Sequence, residues 1–567
     1  MPPRLNRRWI IHEPVPTEID QALGAYPPFF RQILFARGIE DEFQAQSFLH
    51  GQIEDDNPFK LKGMQEAVER IFWAADHGEK VVVYGDYDVD GVTATALLVG
   101  VLSRCGVDVK PYIPNRFEEG YGLNSEALET LASQEVRLVI TVDCGIRSPR
   151  EAELAEKLGI DLIISDHHHP GDEVPDAWSV ICPKQEGDLY PDKNLSGVGL
   201  AYKIAQALAR HRPSAGICAD EWLDLVALGT VADVVPLKGE NRSLVRRGLE
   251  LIRRGGRPGI YSLARAAGLN ISKICAGDIG FILGPRLNAA GRIDTADAAL
   301  RLLMVSDRQV GGLLAQELDN HNMERQRLTR EIQDKAVRQA ESSGFKEILF
   351  AFDPSFNSGI VGLAASRLVD TFYRPAVVGT IEDEFTRASC RSIPEFHITK
   401  ALDECAGLLV RHGGHALAAG FTVRNENIPA LVEQLHSIAV RELSSLELRP
   451  SLRADLEIQL SDLRPEFLRY LDLLEPTGQD NPEAIFVSRD LRVNKVRQVG
   501  ADGKHLKLAV SDGRITYDAI AFGQGDWAYS MPERIDLLYT FERNEYNGKV
   551  SLQLKVRDIK ASGTPDD

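Results

Sequence analysis

The chain has 567 residues, 44% hydrophobic and 26% charged, which excludes wholesale disorder; at about 100–200 residues per domain it holds about three or four domains. Its net charge of −18 argues against a general nucleic-acid binder, although net charge leaves local patches open and an Asp-rich site gains cations on loading metal. Seven scattered cysteines with no CxxC pair disfavour zinc ribbons and disulfide frameworks and suit a reducing cytoplasm; no apolar run long enough for a membrane span and no signal peptide are read.

Residues 1–75 form an N-terminal region ahead of the first motif. Over 76–311 an α/β domain is predicted. KVVVY (80–84), RLVITV (137–142) and DLIIS (161–165) read as buried strands, with helical patterns between them, one opening near Thr93 and one over 149–158. This alternation implies right-handed βαβ units and a parallel sheet. A connecting helix follows over 312–345: Leu314, Leu318, Leu328, Ile332 and Ala336 keep helical spacing, while 319–327 is almost wholly polar. A helix polar all round its middle is expected to bridge domains through solvent. A second α/β unit, 346–448, carries strands at 347–352 and 375–379. From 449 to 560, alternating segments such as 505–510 and 550–556 read as strands of a small β-barrel, and 561–567 as a loose tail.

Four clusters carry chemistry. GDYDVDG (85–91) sets Asp86, Asp88 and Asp90 at alternate positions directly after a strand. Three such anions repel unless a cation neutralises them; a solvated turn is the bland reading, and a calcium EF-hand fails because its twelfth position is Leu97. Asp143, in VDCGI (142–146), stands at a strand's carboxyl end, where open α/β sheets build sites, yet taken alone it reads as a turn residue capping a helix. SDHHHP (165–170) puts an acid beside imidazoles, the mixed ligand set that suits manganese, iron or zinc. Asp233 lies in the apolar run DLVALGTVADVVPL (224–237), where an apolar helix is expected to end at Gly229 and a carboxylate needs a cation, a shifted pKa or a capping role. Together Asp88, Asp90, Asp143, His167 and Asp233 suffice for two ions with one bridging carboxylate.

These segments, with PNRFEEGYGL (114–123), GPRLNAAGRI (284–293) and GGHALAAG (413–420), run in order over most of the chain and resemble the DHH phosphoesterase superfamily, named for the triplet at 166–168. Within it the chain is similar to the RecJ family of single-strand-specific 5′→3′ exonucleases. The resemblance implies a parallel-sheet DHH domain, a DHH-associated α/β domain facing it across a cleft, and a C-terminal OB-like barrel. It also implies two Mn²⁺ or Mg²⁺ ions on Asp88, Asp90, Asp143, His167 and Asp233. His168 would contact metal or phosphate, and Asp86 and Asp166 would support the ligands. Arg286, Asn288 and Arg292, read in a Gly/Ala-rich loop, and Ser389, Arg391 and His415 are expected to bind substrate, with Arg116 and Arg391 on a terminal 5′ phosphate. The extra His169 has no evident role, and Cys144 could make the site sensitive to oxidation. In the barrel, Lys504, His505, Lys507, Arg543 and Lys549 could follow a nucleic-acid backbone, with Tyr546 as a stacking platform; solvated strand faces are the bland reading.

The implied activity is two-metal hydrolysis of single-stranded DNA to 5′-mononucleotides in repair and recombination. The implied setting is a cytoplasmic monomer with a single-stranded-DNA-binding protein and a helicase as partners. Two other readings compete. A small-molecule enzyme of the superfamily would need neither the barrel nor the residues before the first motif. A catalytically dead scaffold would lose ligand positions, and here all are filled.

Overall fold

The computed structural model describes residues 5–51, 56–115, 119, 122–293, 295–344, 346–546 and 549–566, the side chains of 293, 343, 546 and 549 excepted. Among these, no helix is long and apolar enough to cross a membrane. The chain opens with β1 (Arg8–Ile11) and the helices Thr17–Ala22, Pro28–Phe35 and Glu42–His50. Leu23, Phe30, Ile33, Leu34 and Leu49 on this segment are buried, but their partners are 400 residues away, in the C-terminal barrel.

The first α/β domain is a parallel sheet of β2 (Lys80–Gly85), β3 (Asp108–Tyr112), β4 (Val136–Val142), β5 (Asp161–Ser165) and β6 (Ser179–Ile181), in the order β3-β2-β4-β5-β6. The central strands are buried along almost their whole length, so they read as continuous apolar runs. The two edge strands escape that signature: β3 is half exposed and carries Pro111, and β6 has three residues. Strand order reverses between β2 and β4, and a parallel sheet offers its crevice at the carboxyl ends beside such a switch. Helices Val89–Arg104, Gly197–His211 and Leu223–Ala232 pack together on the sheet.

The connecting helix spans Arg308–Ser343, 36 residues. Its polar middle is largely open to solvent, Asn320, Met323, Gln326 and Arg327 being exposed. Asn322 is 1% exposed, and Arg286 donates from Nε to Asp319 at 2.9 Å, tying the helix to Gly284–Ile293.

The second domain orders β7 (Leu349–Asp353), β8 (Ala376–Ile381), β9 (Phe385–Arg391), β10 (Leu409–His415) and β11 (Ala418–Arg424) as β10-β11-β9-β8-β7, with only the β7–β8 pair parallel. β12 (Ser451–Ala454) then pairs in parallel with β1. β13 (Leu456–Glu457) leads into β14 (Phe486–Val499), β15 (His505–Ser511), β16 (Thr516–Ala521), β17 (Arg534–Tyr546) and β18 (Lys549–Ala561). The order β14-β15-β16-β18-β17 closes through a β14–β17 pairing into a five-stranded barrel of the OB type. Strict alternation of burial along β15 sends one face into the barrel core.

Candidate metal centre and substrate cleft

Each candidate ligand sits where a strand or helix ends. β2 runs into the Asp86–Asp88 turn, and Asp88 caps the Val89–Arg104 helix, accepting from the N–H groups of Asp90 and Gly91 at 2.9 and 3.1 Å. Asp88 is thus a helix cap, a role the sequence did not suggest for it, as well as a member of the cluster. Asp90 lies inside the first turn of that helix, so the three acids do not point one way along a strand. Both Asp90 oxygens are held from the opposite side: Gly197 N–H donates to Oδ2 at 2.6 Å and Val198 N–H to Oδ1 at 2.9 Å, from the start of the Gly197–His211 helix. Asp143 follows β4 with φ 64°, a left-handed turn that an aspartate tolerates. His167 and His168 follow β5. The Leu223–Ala232 helix runs three residues past Gly229, which places Asp233 at its C-cap.

These side chains converge. His167 Nε2 lies 3.1 Å from Asp143 Oδ1, 3.5 Å from Asp233 Oδ2 and 3.9 Å from Asp90 Oδ2. Three ligand sets have donor atoms within 4.8 Å of one another: Asp90, His167 and Asp233; Asp86, Asp88 and Asp143; and Asp143, His167 and His168. Asp86, expected to support the ligands, thus shares a set with Asp88 and Asp143. Asp143 Oδ1, both His167 nitrogens and Asp233 Oδ2 are buried without a hydrogen bond. Buried polar atoms are rarely left so, and carboxylate oxygens with a neutral imidazole are a donor set for divalent cations. The residues fit two such ions.

The electrostatics follow from this crowding. Burial, then the charge of Asp88, pushes Asp90 up to about 7 against the pull of the Val198 and Gly197 N–H groups. Burial, then Asp90 and Asp88, pushes Asp233 up to about 9 and Asp143 well above the carboxylate range. Burial and the neighbouring His168 push His167 down to about 3, which leaves its imidazole neutral and ready to ligate. Asp166 accepts from His168 Nδ1 at 2.8 Å and, through its other oxygen, from Ile146 N–H at 2.9 Å. Burial opposes charge on His168, but this bond and the charge of Asp166 outweigh it and raise its pKa. Asp166 therefore orients His168 and favours its protonated form.

A prediction follows for the metal-free protein. Asp90 and Asp233 bind protons more tightly folded than unfolded, where the value is 3.8. Their contribution to stability is complete below about pH 4 and is lost as pH rises through about 7 and about 9. In chelator, the calorimetric unfolding midpoint is expected to fall between about pH 5 and about pH 9, and saturating Mn²⁺ to remove most of that fall. A midpoint in chelator that rises across this range would contradict the cluster's electrostatics.

A cavity of about 350 Å³ beside the cluster is lined by Asp86, Asp88, Asp233, Asn288 and Arg292 among others. Residues 284–293 are a helix, not the loop read from their glycines and alanines. Asn288 and Arg292 face the cavity, whereas Arg286 is engaged with Asp319 and the Ile282 carbonyl. Arg292 also reaches the second domain, donating from Nη1 to Gly359 O at 3.1 Å. Ser389 and Arg391 on β9 flank Gly362 at the start of the Val361–Phe372 helix, where an added Cβ would lie 3.5 Å from Ser389 Oγ and 3.1 Å from Arg391 Nη2. His415 ends β10, and the extra His169 is engaged through its backbone carbonyl, which accepts from Arg147 Nε at 2.8 Å. Arg116 lies outside the described residues.

In the barrel, Lys504, Lys507 and Arg543 pair with Asp502, Asp518 and Asp472 at 2.9, 3.2 and 3.3 Å. His505 accepts from Gly523 N–H at 3.1 Å and packs edge-on to Phe522. The side chains of Tyr546 and Lys549 lie outside the described residues. The solvated-face reading describes the paired cations better than a continuous basic track.

Sequence reasoning missed the N–H donors of Gly197 and Val198 on Asp90. A backbone amide has no residue type to betray it; the only signal was a glycine pair, Gly197 and Gly199, opening a helix.

Comparison with known proteins gives three family models: the DHH family N-terminal domain over 80–230, the DHHA1 domain over 346–441 and the RecJ OB domain over 454–558. The single-stranded-DNA-specific exonuclease RecJ of Bacillus subtilis is 38% identical, the alignment covering 98% of this chain and 71% of that protein. RecJ of Escherichia coli is 34% identical over 94% of this chain and 96% of its own length. The crystal structure of Thermus thermophilus RecJ in complex with Mn²⁺ superposes with a TM-score of 0.84 at 30% identity, covering 98% of this chain and 80% of that one. On these matches along nearly its whole length, the chain belongs to the RecJ family of the DHH phosphoesterases.

Proposed function

We propose that the chain is a metal-dependent exonuclease that degrades single-stranded DNA from its 5′ end to 5′-mononucleotides. The observation that carries the reading is the set of buried, unbonded Asp143, His167 and Asp233 atoms at the carboxyl edge of the sheet. Asp88, Asp90, Asp143, His167 and Asp233 would hold two ions, Mn²⁺ or Mg²⁺, and Asp86 would complete a set with Asp88 and Asp143. When bound, the ions supply an activated water and neutralise phosphate charge. The chain's residues do the rest. Asp90 is fixed from behind by two N–H groups, so its carboxylate costs little reorganisation. His168, held at Nδ1 by Asp166, is oriented beside the cluster, where, against burial, the bond and charge of Asp166 raise its pKa and favour donation to the phosphate. Asn288 and Arg292 form the opposite wall, and Ser389, Arg391 and the adjacent helix start receive the terminal phosphate.

Polarity and single-strand selectivity rest on the family resemblance, as do the cytoplasmic, monomeric state and partnership with a helicase and a single-stranded-DNA-binding protein in repair and recombination. The test is end-labelled, 5′-phosphorylated DNA with Mn²⁺. Early mononucleotide release from a 5′ label on single strands, with duplex intact, supports the reading. Survival of long strands while dinucleotides are consumed would transfer the activity to small-molecule substrates.

A further inference from the structure

The metal cluster is tied to the barrel through one turn. Asp233 is followed by Val234 at φ 62°, a β-branched residue in the left-handed region, where its Cβ is disfavoured. The residue is 63% exposed, so burial does not compensate the strain. Contacts further along hold the turn instead. Leu237 N–H donates to Gln479 O at 2.9 Å. The buried Leu237 side chain packs so closely on Gly478 that a Cβ there would lie 2.7 Å from Leu237 Cδ1. Asn241 donates from Nδ2 to Pro236 O at 3.2 Å.

The loop carrying Gly478 and Gln479 is itself braced. Arg242, one residue after Asn241, donates to the carbonyls of Leu473, Leu474, Glu475 and Pro476 at 2.9, 2.8, 3.0 and 3.1 Å, and to Phe48 O at 2.8 Å. Asn481, fully buried, donates to Leu474 O and Pro476 O at 2.8 and 2.7 Å. One guanidinium thus joins the catalytic domain, the N-terminal helices and the entry to the barrel.

We infer that the 473–481 segment is a positioning element for Asp233, holding the strained Val234 turn so that the Asp233 carboxylate faces His167 at 3.5 Å, and that it couples barrel docking to metal affinity. The inference rests on the reading of Asp233 as a metal ligand. A strained turn persists only where its surroundings over-determine it, and the strain is exchanged for a carboxylate that is in place before the ion arrives. Arg242 acts through Asp233 and is a positioning residue.

The test is calorimetric titration of the chelator-stripped full chain with Mn²⁺, without substrate, beside unfolding midpoints. Wild type is expected to bind two ions. Val234→Gly removes the strain but not the hold, and is expected to keep both affinities. Gly478→Ala sets a Cβ 2.7 Å from Leu237 Cδ1, disturbs the hold while leaving the Arg242 contacts in place, and is expected to weaken one ion about tenfold. Arg242→Met is expected to weaken the same ion about tenfold while lowering the midpoint. Tyr517→Phe removes a barrel hydroxyl bonded to Leu463 O at 2.7 Å; it is expected to lower the midpoint and leave both affinities unchanged. Wild-type affinity in Gly478→Ala overturns the inference even if Arg242→Met fails to fold, and so does equal weakening in Tyr517→Phe. A wild-type protein that takes up no Mn²⁺ removes the ligand reading, and the inference with it.

Discussion

Asp143→Asn is expected to lower hydrolysis of single-stranded DNA by at least about a thousandfold, the largest effect of any single substitution here. Asp143 belongs to two of the three ligand sets, with Asp86 and Asp88 on one side and His167 and His168 on the other. Its loss therefore removes a donor from both ions. Asparagine keeps the volume and tolerates the left-handed φ of 64°, so the backbone is not the cause. The metal-free variant is expected to be more stable than wild type, because a fully buried carboxylate repelled by Asp90, Asp88 and Asp233 becomes neutral. Activity against Mn²⁺ concentration, with melting in chelator, checks both parts. Activity within tenfold of wild type would exclude Asp143 from the centre.

Gly197→Ala is expected to cost about a hundredfold in activity while the protein still folds. An added Cβ would lie 2.7 Å from Asp143 Cβ and 3.0 Å from Asp143 Oδ1, and neither neighbour is the free end of a flexible chain. The helix start must retreat or Asp143 must move. If it retreats, Asp90 loses the N–H groups on both its oxygens. Gly229 is constrained alike, since a Cβ there would lie 2.7 Å from Val198 Cγ1 and 2.9 Å from Asp90 Oδ1. Single-turnover rates with circular dichroism melts distinguish displacement from unfolding; a Gly197→Ala protein with wild-type rates would show that the close approach is dispensable.

The candidate site was legible in the sequence because buried parallel strands are continuous apolar runs, and acids that interrupt them at their carboxyl ends stand out. Asp143 and the 166–168 triplet were visible for that reason. What could not be read were contacts made by groups without a side chain, such as the Gly197 and Val198 amides, and pairings set by distant sequence. The Gly284–Ile293 helix was misread because Gly284 and Gly291 suggested a loop. In the structure Gly291 lies where a Cβ would come within 3.1 Å of the Tyr87 carbonyl, so its glycine serves close packing. In the middle of Arg308–Ser343 polarity reports what a residue can bond, not where it lies: Asn322 is buried while Gln326 and Arg327 are exposed.

The pairing of β1 with β12, and the burial of Phe30, Ile33 and Leu34 in the barrel core, carry a consequence for biosynthesis. The opening helices leave the ribosome with their apolar faces bare, and their partners follow about 400 residues later, on the order of 20–80 s at about 5–20 residues per second. Both catalytic domains are complete before the barrel can close around that waiting segment. A ribosome that stalls after the second domain therefore releases a chain with no barrel, no 473–481 segment to hold the Asp233 turn and an uncovered hydrophobic head, a product suited to chaperone capture and proteolysis before it meets DNA.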